Sequence, residues 1–249
     1  RLLSLSWLIE SFLTANHLVA VQLVCDAVGH WTIRHVPGAC RYFISRSVAP
    51  AQVTAADILE LDLDGKPAAA GEKRTSYRER FIHGEIYRVR PDVMSIVHCH
   101  APSLIPFGIT KIPLRPVYHN SSFIGEGVPV FEIREGGGDT DMLVSTPALG
   151  RALAKALTNK PAVLMRGHGA VIVGKSVIES VARSVYLEVN ARVQAQAMAM
   201  GQVSGVTIVV LWRCRRWFME AMTISNIGNG SSAENIPPTQ SQYLGAPIQ

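Results

Sequence analysis

Apolar and polar positions divide this chain into short runs with two different periods. Strand-like runs fall at residues 30–35, 42–45 and 58–63, the last closing on an Asp64-Gly65 turn signal. A helix is predicted from Ser76, where Ser76 and Glu79 have the spacing of a capping box, to just before Pro91. Residues 94–100 then read as a strand. A further strand over 128–133 leads through Gly136-Gly137-Gly138-Asp139 to a helix opened by Thr146 as N-cap, with Pro147 in its first turn, and ending near Asn159. Residues 162–165 and 170–173 read as buried strands interrupted by Arg166-Gly167-His168-Gly169. The longest helix is capped by Ser176 and Glu179 and runs to about Met200. Its Val177, Val181, Val185, Val189 and Val193 fall four apart, a stripe predicted to be buried. Residues 1–24 predict a helix pair.

Strands alternating with helices predict an α/β domain over residues 1–200. Residues 201–249 differ in character. Residues 206–219 are apolar and basic without a clean period, and 225–249 are rich in Ser, Asn, Gly, Pro and Gln, so this end is expected to be divergent and partly disordered.

Composition narrows the class. With 48% hydrophobic and 17% charged residues, the 249-residue chain has enough apolar surface for a core. Its longest apolar run, residues 206–212, is far short of the ~20 needed to cross a bilayer, so no membrane association is expected. Residues 1–17 carry no small-residue cleavage site of a secretory leader. The net charge is +5, but the basic residues are scattered and only Arg213, Arg215 and Arg216 cluster, which argues against nucleic acid. The four cysteines lack C-x-x-C spacing and are read as reduced, which predicts a cytoplasmic protein.

The chemistry is carried by histidines. On a strand, His98 and His100 share a face while Cys99 points away, a geometry that chelates a divalent metal or simply buries two polar side chains. His168 stands between Gly167 and Gly169, where it is either a third ligand or a turn histidine. Glu79 also has two readings, as the capping-box carboxylate or as a group that moves protons or binds metal. His83, one helical turn on, is placed to orient Glu79 or to sit on a solvated face. Residues 169–176 satisfy the P-loop expression, but Ala170-Val171-Ile172-Val173 extends as a strand and cannot wrap phosphate.

The run from Tyr77 through Glu79, His83 and Arg90-Pro91-Asp92 to His98-Cys99-His100, followed by Met165-Arg166-Gly167-His168-Gly169, resembles the class II aldolase/adducin family. Glu79 precedes His98 by 19 residues and His168 follows His100 by 68, as in that family's pattern. The resemblance implies a three-layer α/β/α domain with a central, mainly antiparallel sheet, usually a homotetramer with active sites at subunit interfaces. It also implies zinc or manganese on His98, His100 and His168, with Glu79 as acid/base or as a ligand displaced by substrate. A Lewis acid on a substrate oxygen stabilises the enolate left when the neighbouring carbon-carbon bond breaks.

Departures from the sugar-phosphate aldolases narrow the substrate. Where those enzymes carry a phosphate nest, this chain has His30, Ser47-Val48 and Tyr77-Arg78. Ser45-Arg46-Ser47 and Arg78 instead offer guanidinium groups suited to carboxylates, or are ordinary surface or helix-end arginines. These segments are similar to the branch that decarboxylates hydroxylated aromatic or pyridine dicarboxylates. That similarity implies an anionic small-molecule substrate held by Arg46, Ser47 and Arg78, with Glu79 or His30 protonating the carbon. Tyr118 and His119 either face that substrate or form a structural turn. The expected order is decarboxylase first, then aldolase, epimerase or dehydratase, then a non-catalytic adducin-like module.

Overall fold

The computed structural model describes residues 9–11, 13–14, 29–34, 36–125 and 127–203. Of the helix pair predicted over residues 1–24, only 9–11 and 13–14 are described, and they are helical. The rest of that prediction and residues 204–249 lie outside the described residues.

Seven strands form one sheet: β1 (His30–Arg34), β2 (Arg41–Ser45), β3 (Ile58–Asp62), β4 (Ser95–Cys99), β5 (Val130–Phe131), β6 (Ala162–Met165) and β7 (Gly169–Gly174). Their order is β3-β2-β1-β4-β7-β6-β5, antiparallel throughout except for β5 beside β6. The helices are α1 (Arg80–Val89), α2 (Ile105–Ile109), α3 (Arg134–Gly137), α4 (Pro147–Leu157) and α5 (Val177–Met200). Helices α1 and α4 cover one face, packing Ile82, Ile86, Leu149 and Leu153 on Ile44, Leu61, Ile96, Val163 and Val171. On the other face, Phe107 of α2 and Leu187 and Ala191 of α5 lie against Trp31, Ile33, Val97, Leu164 and Ile172. Because both faces are covered, the central strands lose the polar alternation of a half-exposed sheet and every residue of β4, β6 and β7 is buried. The expected three-layer α/β/α architecture is borne out.

Two local expectations are corrected. The strand predicted over 128–133 shrinks to Val130–Phe131, because the Ile133 carbonyl accepts from the Gly136 and Gly137 amides and winds the chain into α3. On α5 the valine stripe is buried only at its start, with Val177 in the core and Val181 and Val185 packed against it. Steps of four residues overshoot a full turn by about 40°, so the valines wind around the helix. Val193 ends 37% exposed, while Ser180, Ser184, Leu187 and Ala191 are fully buried. The small residues let α5 lie close on the sheet, where Ser180 Oγ meets Ser95 Oγ of β4 at 2.7 Å.

Farther along α5, side-chain amides replace a missing strand. Asn190 accepts from the Val117 amide and donates to the Arg115 carbonyl. Gln194 does the same with Arg115 and Pro113, all at 2.8–2.9 Å. The extended segment held this way delivers the 3-10 turn His119–Ile124.

Candidate metal centre

The site forms where the end of β4 meets the β6–β7 turn and the start of α1. His98 is the fourth residue of β4, opposite His30 of β1 and Val171 of β7. His100 lies just past the strand end. His168 ends the turn that joins β6 to β7, and Gly169 makes that approach possible: a Cβ there would stand 2.0 Å from the Cys99 carbonyl oxygen.

The predicted capping box does not form. Helix α1 begins at Arg80 with Glu79 itself at the N-cap, and neither makes nor needs a Ser76 partner, whose hydroxyl is buried without a hydrogen bond. Glu79 is therefore turned inward. Its Oε1 accepts the Val144 amide at 2.9 Å, while Oε2 lies 3.3 Å from His98 Nε2 and 3.5 Å from His168 Nε2. Burial alone would raise the Glu79 carboxyl, and positive charge on protonated His98 and His168 holds it below the ordinary carboxylate range; where their Nε2 atoms are bare, that role falls to a bound cation.

The three imidazoles converge. His100 Nε2 is 3.0 Å from His98 Nε2 and 2.9 Å from His168 Nε2. His98 donates its Nδ1 proton to the Ala170 carbonyl at 3.1 Å, and His168 donates its own to the Met142 carbonyl at 3.0 Å. Those bonds leave both Nε2 atoms bare and aimed at a common point, the second partner that orients a histidine ligand. Met142 presents its carbonyl from a left-handed conformation, φ +67°. A proton on His100 Nε2 serves only one of these two neighbours at a time, whereas a cation at the common point serves all three nitrogens. Ligands ~2.0–2.1 Å from a tetrahedral zinc are roughly 3.3 Å apart, close to the spacing seen. All four ligand atoms lie within 4.8 Å of one another, so the donor set fits a divalent metal. His98 is fully buried and Glu79 nearly so, whereas His100 and His168 are half-buried and form the open side.

Such a sheet with a three-histidine, one-carboxylate cluster at its strand ends defines a metal-binding α/β enzyme fold. Residues 11–195 match the family described as Class II Aldolase and Adducin N-terminal domain, and the chain belongs to that family. It is 34% identical over 204 residues to "Decarboxylase tropJ" of Talaromyces stipitatus, covering 77% of each chain. It is 31% identical over 205 residues to the 3,4-dihydroxyphthalate decarboxylase of Arthrobacter keyseri, covering 77% of this chain and 79% of that one. In fold it is similar to L-fuculose 1-phosphate aldolase from Glaciozyma antarctica, with a TM-score of 0.68, 22% identity and coverage of 89% and 90%. Family and His/Glu cluster together support a metal-dependent lyase.

The remaining predicted site residues fall in four places. The His30 ring lies 4.9 Å from the His98 ring and joins the cluster. Arg46 and Ser47 follow β2 at the same end of the sheet; Arg46 pairs with Asp57, and the Ser47 amide donates to the Thr75 carbonyl. Arg78 is exposed and lies 3.0 Å from Asp141, on the loop that supplies Met142 and Val144 to the centre. Tyr118 and His119 pack together on the α5 side, near Tyr186, and the single chain does not bring them to the cluster. Burial pushes the Tyr118 hydroxyl up to about 12.

His83 does not orient Glu79. It is fully buried and bonds His30 instead, with Nε2 2.7 Å from His30 Nδ1. Tyr77 was missed as a site residue. Its ring lies tilted 4.5 Å from the His30 ring, and its hydroxyl accepts from the Ser45 hydroxyl at 3.4 Å and donates to the Val48 carbonyl, tying the Arg46 loop to His30. A signal was present: His30, Thr32 and Arg34 place polar groups on one face of β1, and that face needs buried polar partners.

Proposed function

We propose that this chain is a divalent-metal-dependent decarboxylase acting on a hydroxylated aromatic or heteroaromatic carboxylate. The observation that carries the proposal is the convergence of bare Nε2 atoms from His98 and His168 with His100 and the Glu79 carboxylate. The decarboxylase relatives, including one acting on 3,4-dihydroxyphthalate, support the reaction class. His98, His100 and His168 hold the ion, zinc or manganese, with Glu79 as a fourth ligand or base. When bound, the ion supplies a Lewis acid for oxygens of the substrate.

The proton is handled by the chain's own residues. His30 Nε2 is buried without a hydrogen-bond partner beside the cluster. It accepts the proton of the ring hydroxyl. The bond to the departing carboxylate then breaks with its electron pair on the ring carbon, and His30 Nε2 returns the proton to that carbon as CO2 leaves. Arg78, Arg46 and Ser47 are assigned to the substrate's carboxylates, and Tyr118 and His119 to substrate contact from a neighbouring subunit of a tetramer. We assign residues 1–200 to the catalytic domain, 201–249 to a divergent segment, and the protein to the cytoplasm. No helix among the described residues is long and apolar enough to cross a membrane.

The test is metal analysis of purified protein, then CO2 release from 3,4-dihydroxyphthalate and related hydroxylated dicarboxylates, with L-fuculose 1-phosphate as counter-substrate. Stoichiometric metal with CO2 release is expected. Aldol cleavage without CO2 would make the protein an aldolase, and a native protein that binds no metal would make it a non-catalytic module.

A further inference from the structure

A chain of buried polar groups runs behind His30 and away from the metal centre. His30 Nδ1 lies 2.7 Å from His83 Nε2, and His83 Nδ1 lies 2.7 Å from Thr32 Oγ1. Thr32 Oγ1 is 2.9 Å from the Tyr87 hydroxyl, which donates to the Met94 carbonyl at 3.4 Å. None of the four side chains is more than 2% exposed, so water does not break into the series.

The far end gives the series its direction. A carbonyl only accepts, and with the Tyr87 proton on it the phenol oxygen accepts from Thr32. Thr32 then accepts from His83 Nδ1, and the bare His83 Nε2 accepts from His30 Nδ1. What is left is a lone pair on His30 Nε2, the ring atom facing away from His83. Leaving such a buried atom unsatisfied is unfavourable, and a hydrogen-bond donor on a bound molecule removes that penalty.

We propose that His83 is a positioning residue that locks His30 in its Nδ1-protonated form and keeps the bare Nε2 available at the metal centre, with Thr32 and Tyr87 locking His83 in turn. The bound group is an acidic hydroxyl of the substrate. The kinetic half of this inference rests on the decarboxylase reading; the half that concerns protonation of His30 does not.

Both halves are testable on the zinc-loaded protein. Long-range proton–nitrogen NMR of histidine labelled with nitrogen-15 reads the His30 tautomer, and CO2 release from 3,4-dihydroxyphthalate reads turnover. The wild type is expected to show an unprotonated His30 Nε2. In His83→Leu and Thr32→Val the two tautomers should mix, and kcat should fall about tenfold or more with KM and zinc content little changed. His83→Gln, whose amide oxygen accepts the same proton, should retain most of the rate. If His83→Leu does not fold, Thr32→Val decides. A protonated Nε2 in the wild type would overturn the inference, as would an unchanged tautomer and kcat in the folded variants. If the wild type releases no CO2 from any substrate, the decarboxylase reading falls, and the NMR result alone decides the role of His83.

Discussion

Glu79 divides its carboxylate between two tasks: Oε2 faces His98 Nε2 at 3.3 Å, and Oε1 holds the backbone amide of Val144 at 2.9 Å. Replacement by Gln keeps an oxygen for the amide and removes the charge. Glu79→Gln is therefore expected to lower kcat by about 10²-fold or more while leaving the melting temperature within a few degrees. Loss of folding in this variant would assign Glu79 a purely structural role.

Three imidazole nitrogens within 3.0 Å of their neighbours are held together at a cost that a cation relieves. Chelation should lower the melting temperature and re-addition of zinc or manganese should restore it. A metal present at ~1,000 times its dissociation constant contributes about 4 kcal/mol. His98→Ala should lose bound metal, measured by elemental analysis, and should no longer respond to chelator. A melting temperature indifferent to metal in the wild type would contradict a site made of these side chains.

Gly169 is the point of closest approach between β7 and β4, where an added Cβ would meet the Cys99 carbonyl oxygen at 2.0 Å. The obstacle is backbone, which cannot swing aside. Gly169→Ala should cost about 1–3 kcal/mol or more and displace His168 from His100, so that metal affinity falls together with stability. Unchanged metal affinity in urea-resistant protein would show that the turn tolerates the extra carbon.

His30 and His83 are both held neutral, their pKa values lowered well below 6.5, first by burial and then by neighbouring histidines. In the window below 6.5 the unfolded chain binds protons that the folded chain refuses, so stability falls as pH drops through that value. Each such histidine adds up to about 1.4 kcal/mol per pH unit. Denaturant titrations between pH 7 and 5.5 should show this loss, and His83→Gln should reduce its slope by about one proton. An equal slope in the variant would mean that His83 charges freely in the fold.

Much of the centre was legible along the chain. The two-residue period of a strand places His98 and His100 on one face whatever surrounds them. Glu79 and His168 each had two readings on their residues alone, and the resemblance to the class II aldolase/adducin pattern singled them out. The local rule failed at Ser76, because a capping box presumes a helix that starts there, and α1 starts at Arg80. It failed again at His83, where one helical turn of separation suggested Glu79 as the partner. The true partner is 53 residues away on β1. The valine spacing on α5 was also real, yet a small-residue stripe was what the sheet could accept.

The sequence by itself determined the order of strands and helices, the capped start of α5 and the histidine pair, because each depends on periodicity or on neighbours a few residues apart. Only the tertiary structure decided that Glu79 turns inward, that His98 and His168 have bare Nε2 atoms, and that His83 answers to His30. Those outcomes depend on backbone carbonyls and amides contributed by Ala170, Met142 and Val144, whose side-chain identities carry no mark of the task. A carbonyl's direction is set by the path of the chain through the fold.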